Sequence, residues 1–185
     1  MSTYSEIKKF DNYDEEKPIR IWVGNLAKYN EGSMVGCWLS LPMETEELDG
    51  AMKAILGADE EYQLNDWEAD LDLSISQHSS PYKLNEQANR IEEECPDEHD
   101  RMRLSYLISD CSLDFEDALL RHDEVIIYED MNLEDVAYQL VEDGCFGEIP
   151  ESLSSYIDYE KIARDLDHDG YDYDVDKNCV FYFSQ

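Results

Sequence analysis

Apolar and polar residues alternate over Ile19-Arg20-Ile21-Trp22-Val23, the period-two pattern of a strand with one buried face, and the ordered body of the chain starts there, just after Pro18. A loop bearing Gly and Asn follows. Met34 to Leu41 then reads as a second apolar strand stopped by Pro42, which predicts a hairpin with a long connection. From Glu44 to Leu56 the period becomes helical, with Leu48, Met52 and Ile55 on one face and Gly57 placed for a left-handed cap. Tyr62 to Ile75 sets Asp66, Asp70 and Asp72 among Trp67, Leu71, Leu73 and Ile75, which predicts short strands with an acidic outer face. Residues 1–17 mix Lys, Asp and Glu with little periodicity and read as a loosely ordered lead-in.

Composition shifts at Ser79-Ser80-Pro81, a candidate boundary, and beyond it the pattern is helical. Leu84, Ala88, Ile91 and Cys95 form one stripe; Met102, Tyr106 and Ser109 with Leu104, Leu107, Ile108 and Cys111 form a second; Phe115, Ala118 and Leu119 form a third, with Ser112 as its N-cap. Strand character returns at Glu124 to Tyr128. Asn132 then caps a helix, with Asp135 at the capping-box position and Leu133, Val136, Leu140 and Val141 inside. Gly144 closes that helix, Pro150 opens a turn, and Tyr156 to Leu166 forms a further helix. Two strands, Tyr171 to Val175 and Cys179 to Phe183, joined at Asp176-Lys177-Asn178, end the chain. The fold class is α+β in three small units after the lead-in: 18–80 mixed, 81–123 helical, 124–185 mixed again.

Charge changes this picture from a fold to a function. The chain has 46 Asp and Glu against 14 Lys and Arg, a formal net charge of −32 over 185 residues. An acidic tail would be solvated and disordered. Here the acids are spread instead: residues 1–50 carry −5, 51–100 carry −11, 101–150 carry −10 and 151–185 carry −6. Self-repulsion on that scale costs folding energy, so it implies a partner, unless it serves only solubility or salt tolerance. Duplex DNA shows one charge per roughly 1.7 Å of axis, so 32 charges equal roughly 54 Å of duplex. A folded polyanion of that density could enter a basic groove built for DNA. The same surface is repelled by nucleic acid and by an anionic membrane leaflet.

Other chemistry is sparse. Cys37, Cys95, Cys111, Cys145 and Cys179 are odd in number, far apart and without a C-x-x-C pair, the pattern of reduced thiols in a cytoplasm. Met1 to Pro18 holds charges throughout and no apolar core of a signal peptide, and the longest apolar runs are strand-length. His78, His99, His122 and His168 stand apart from any metal or nucleophile motif, and Gly24, Gly32 and Gly36 do not make a phosphate loop, so no catalytic residue and no cofactor is expected. Asp165-x-Asp167-x-Asp169-Gly170, with Asp176 at the twelfth position, reproduces the start of an EF-hand loop. Asp172 replaces the usual apolar anchor and a strand follows, so a calcium module is the alternative rather than the main reading.

Trp22-Val23-Gly24-Asn25-Leu26-Ala27-Lys28-Tyr29-Asn30-Glu31-Gly32, followed by Val35-Gly36-Cys37-Trp38, resembles the opening of the ArdA antirestriction proteins. A second block, Gly147-Glu148-Ile149-Pro150, Leu153, Tyr156-Ile157-Asp158-Tyr159 and Ala163-Arg164-Asp165-Leu166, resembles the same family in the same order. The likeness runs from Ile19 to about Phe183; residues 1–17 and the Asp167–Asp176 run depart from it, and the middle helices match only in acidity and pattern. It implies an elongated DNA mimic, carried on mobile elements, that occupies the DNA groove of type I restriction–modification enzymes at their methyltransferase core and forms a homodimer through its C-terminal unit. An acidic binder of some other basic DNA-binding protein would share the charge. The acids expected to face the partner are Asp59, Glu60, Glu61, Asp66, Glu68, Asp70, Asp72, Glu92, Glu93, Asp97, Asp114, Glu116, Asp117, Glu148, Glu151, Asp158 and Asp165. Val180 and Tyr182, in the charge-free run Cys179 to Ser184, are the expected dimer contacts.

Overall fold

Order begins well before the first expected strand: α1 (Thr3–Ile7) buries Ile7. The central strand β1 (Ile19–Asn25) then leads through the short helix α2 (Leu26–Asn30) into β2 (Gly36–Leu41), its antiparallel neighbour. After α3 (Thr45–Leu56), β3 (Tyr62–Ala69) pairs with the other side of β1. The structure is a computed structural model that describes residues 3–184; Met1 and Ser2 of the expected lead-in, and Gln185, lie outside the described residues.

The cross-strand pairs Ile19 with Leu41, Ile21 with Leu39 and Val23 with Cys37 make one continuous apolar face, and all six residues are buried. Leu48, Ala51, Met52 and Ile55 of α3 pack over it, together with Leu84, Ala88 and Ile91 of α4 (Pro81–Glu94). Each buried Leu or Ile there contributes about 1.5–3 kcal/mol. The opposite face presents Arg20 and Trp22. Gly24 and Gly36 sit opposite one another in register, and a β-carbon on either would collide with the Trp22 ring. Gly24 and Gly36 of the resemblance are therefore the room that this indole occupies.

Residues 11–17 close the outer edge of β2. The Trp38 N–H donates to the Asp11 carboxylate at 3.1 Å and its carbonyl accepts from the Asn12 N–H at 3.1 Å. Ser40 Oγ accepts from the Asp14 N–H at 2.8 Å and donates to the Asn12 carbonyl at 3.0 Å. Tyr13 stands edge-on to Trp38, ring centroids 5.1 Å apart, and donates to Glu68. Beneath them Arg20, 7% exposed, donates to the carbonyls of Glu15 and Lys17 and to Asp70 at 3.0 Å. The loosely ordered lead-in is thus a docked strap. Its contacts with Trp38, Ser40 and Glu68 span 26 to 55 residues, beyond the reach of any local pattern.

Ser79-Ser80-Pro81 starts a helix rather than dividing the chain. Ser80 is the N-cap of α4 and Pro81 its first residue, where a missing N–H costs nothing. Asn85, buried on α4, exchanges two hydrogen bonds with the Met43 backbone, at 2.8 and 2.9 Å, which ties α4 to the first sheet. α5 (Glu98–Ser109) and α6 (Phe115–Arg121) follow. Ser112, expected as an N-cap, takes a left-handed φ of 56° instead, in the turn that precedes α6. The chain separates into two compact units, 1–115 and 116–185.

The second unit sets β4 (Ile126–Glu129), α7 (Leu133–Glu142), α8 (Tyr159–His168), β5 (Tyr171–Asp174) and β6 (Cys179–Tyr182) around a core of Val136, Ala137, Ala163, Leu166 and Val180. The expected capping box is present: Asn132 Oδ1 accepts from the Asp135 N–H at 3.1 Å, and Asp135 returns the bond at 3.1 Å. All strands are antiparallel and β6 lies in the middle, between β4 and β5. Val180 has no exposed surface and Tyr182 stacks on Tyr171 with centroids 4.2 Å apart. The Val180 side chain therefore serves its own core. With both its edges paired, a central strand cannot extend a sheet.

Two outcomes follow from this packing. Tyr13→Ala removes the strap's aromatic contact, worth about 1 kcal/mol, and lowers the melting temperature by about 3–6 °C; an unchanged melting curve would contradict the docked strap. Burial, then the Tyr128 and Tyr182 hydroxyls, push the Tyr171 phenol up to about 12. An unfolded tyrosine loses its proton near pH 10. Between about 10 and 12 the unfolded state therefore holds fewer protons, and stability falls as pH rises. Tyr171→Phe moves the onset of alkaline unfolding upward, as read by circular dichroism across that range.

Candidate protein-binding surface

Residues 1–115 hold 26 acids and 10 bases and residues 116–185 hold 20 acids and 4 bases, so each unit carries −16. The smaller unit bears that charge on 70 residues. Many acids stand where helix ends favour them. Asp97 caps α5 by accepting from the Asp100 N–H at 2.9 Å, and Asp158 caps α8 by accepting from the Lys161 N–H at 3.0 Å. Glu46, Glu47, Glu116, Asp117, Glu134 and Glu160 occupy first turns. The Asp100 and His99 N–H groups hold the Asp97 carboxyl below its usual range.

Several of the cations lie against the chain's own acids. Lys17 meets Glu92 at 2.9 Å, Arg90 meets Glu94 at 2.7 Å, Arg103 meets Asp100 at 3.0 Å, and Arg121 meets Glu124 at 2.7 Å. Lys28 lies between Glu31 and Asp59, and Lys177 against Asp174. Surface pairs of this kind add at most about 1 kcal/mol each. Their larger effect is to engage part of the small positive complement, so that carboxylates dominate the outward surface.

The acids expected to face a partner divide accordingly. Glu68 and Asp70 are brought together around Arg20, with Glu68 3.7 Å from its Nε, too far for a hydrogen bond. Asp59 accepts from the buried Asn25 amide at 3.0 Å, which also holds the carbonyls that end α3. Asp59 and Glu92 are only half-exposed, and Asp66 turns back to its neighbour's N–H at 2.9 Å. Glu60, Glu61, Asp72, Glu93, Asp114, Glu116, Asp117, Glu148, Glu151 and Asp165 are exposed. Reasoning from charge passed over a different surface: Phe146, Ile149, Leu153 and Tyr156 are 54, 37, 53 and 81% exposed. The signal was in the sequence, because 144–156 holds four large apolar residues and only two acids.

The calcium alternative does not survive the geometry. Asp165 and Asp167 lie within α8 and Asp169 is its C-cap, so the first two carboxylates point to different sides of a helix instead of converging in a loop. Among the described residues, no three His, Cys, Asp or Glu side chains are arranged to hold a metal ion. All five cysteines are free, and burial pushes Cys37 up to about 12 and Cys95 up to about 11, well away from nucleophilic thiolates. No helix among the described residues is long and apolar enough to cross a membrane.

The division of the acids is testable. Glu60→Gln, Glu61→Gln and Glu93→Gln each leave the melting temperature unchanged and each weaken partner binding by about 1 kcal/mol or less, accumulating when combined. Asp70→Asn strips the buried Arg20 of a charged partner and costs about 1–2 kcal/mol of stability in urea unfolding. Abolition of binding by a single exposed change would replace the dispersed surface with a hot spot.

A search of curated proteins finds no match to this chain. A family model described as Antirestriction protein (ArdA) matches residues 21–181, from the centre of β1 to the last strand. The match takes in both sheets and the glycine-walled Trp22 site, and the chain belongs to the ArdA antirestriction protein family.

Proposed function

We propose that this antirestriction protein inhibits type I restriction–modification enzymes by mimicry, its carboxylates standing in for DNA phosphates in the groove of the methyltransferase core. The observation that carries the proposal is the even division of −32 between two ordered units, in each of which some of the few cations are already held on the chain's own acids. Lys and Arg that would neutralise phosphates meet carboxylates instead, and counterions are released as from DNA. Base edges are not needed, because phosphate contacts fix position while base contacts specify sequence. Such an inhibitor acts in the cytoplasm, where incoming DNA meets the enzyme, and benefits a mobile element that carries it. Nothing in the mechanism requires a catalytic step or a cofactor.

We further propose a homodimer through residues 116–185. Val180 is buried and Tyr182 stacks on Tyr171, so the reading draws its support from the charge-poor 144–156 segment with its exposed Phe146, Leu153 and Tyr156. Chains carrying −16 in each unit can approach only where charge is locally low and apolar surface is available.

Competition with DNA for a purified type I methyltransferase tests the first proposal: affinity should fall roughly a hundredfold between about 50 and 200 mM salt, the effect of about four released ions. Salt-independent affinity would remove the mimicry, and displacement of DNA from an unrelated basic protein only would redirect it. For the second, light scattering at micromolar concentration should report a dimer, and Leu153→Glu with Tyr156→Glu should give a folded monomer. A dimer that persists in that variant places the contact elsewhere.

A further inference from the structure

Within residues 1–115 a groove of about 280 Å³ opens beside α4, floored by Leu84, Ile108, Leu113 and Phe115. That is below the roughly 300–1,000 Å³ of ordinary ligand pockets and suits a side chain rather than a cofactor. Its polar lining is the Asp114 carboxylate, the hydroxyls of Ser74, Ser79 and Ser80, the Gln87 amide and Lys83; the carboxylate, the hydroxyl oxygens and the amide oxygen can each accept a hydrogen bond. We propose that the groove receives an arginine side chain of the basic partner, giving the otherwise diffuse electrostatic contact one fixed anchor. The proposal rests on the mimicry reading for the identity of that partner.

Charge and shape choose the occupant together. A partner of a −32 chain is cationic, and Asp72 and Asp110 lie next to the lining segments in sequence, both exposed like Asp114. An apolar floor suits a side chain with a hydrocarbon stem, and the Asp114 carboxylate beside hydroxyl and amide oxygens suits one that carries several donors. Arginine supplies a three-carbon stem and five N–H donors in a planar fork. Lysine, a compact and strongly hydrated charge, uses such a site less well. Phe115 already carries a guanidinium internally, since Arg90 lies 5.9 Å from its ring centroid. Lys83 also lines the groove, but it is exposed, and its long stem allows the ammonium to stay in water.

Ser74→Trp and Gln87→Trp both fill the groove without changing charge, at an exposed and a half-buried position, so that one remains usable if the other fails to fold. Methyl NMR of Ile108 and Leu113 in the free protein, titrated with N-acetyl-arginine amide and N-acetyl-lysine amide at matched ionic strength, should show saturable shifts with arginine. Lysine should bind several-fold more weakly, and both Trp variants should lose the effect. Against a type I methyltransferase the Trp variants should bind about tenfold more weakly, as loss of roughly two buried methylenes gives, with the salt slope unchanged. Equal and unsaturating shifts with both amides, or a folded Trp variant with full affinity, would overturn the anchor. The arginine titration decides the groove with no enzyme present, so a failure of the mimicry reading shows separately, as salt-independent enzyme binding by the unaltered chain.

Discussion

Like-charge repulsion is the constraint that every part of this protein answers to. Two exposed charges about 10 Å apart repel by roughly 0.4 kcal/mol in water and by less in salt, and a chain at −32 contains a great many such pairs. Apolar burial must therefore do more than in a balanced domain. The first sheet answers with paired rows of Ile, Leu and Val under two helices, the second unit with a small aliphatic core ringed by Tyr128, Tyr159, Tyr171 and Tyr173. Acids are placed at helix starts, where the unsatisfied N–H groups favour them, and cations where they neutralise an acid that the fold itself needs.

Arg20 shows how few cations this takes. One buried guanidinium holds the carbonyls of Glu15 and Lys17, the carboxylate of Asp70 and, at longer range, that of Glu68. It joins the strap to the far edge of the sheet while staying inaccessible to a partner. The inner charges build the fold and the outer ones remain for recognition.

Much of the fold was legible because its signals are local. The alternation at Ile19 to Val23, the stripe on α3, Gly57 and Gly144 at positive φ, and the Asn132 capping box all depend on residues a few positions apart. What was not legible depends on distance. Residues 11–17 have no periodicity because a single-layer strap is held by hydrogen bonds and one ring contact. The charge-free run at the C-terminus read equally well as interface or core, and only pairing with β4 and β5 on both sides assigns it to the core. The D-x-D-x-D-G spacing matched a loop, but the apolar period of Ile162, Ala163 and Leu166 carried the helix through it. Of the candidate surface, the sign and spread of charge were visible in composition; which acids the fold engages was not, since Asn25 with Asp59 and Arg20 with Asp70 meet across 34 and 50 residues.

The strap along β2 has a consequence for colloidal behaviour. An open sheet edge is a template for further strands, and a chain this acidic is ordinarily protected from such pairing by repulsion alone. That protection vanishes once the carboxylates take up protons, near pH 4, or when concentrated salt screens them. The Asn12 N–H bond to the Trp38 carbonyl and the Ser40 hydroxyl bonds to the strap involve no carboxylate, so the strap keeps this part of the edge covered under those conditions too. Solubility of the first unit is thereby separated from its charge, so the acidic surface can change with the partner without exposing a site for aggregation.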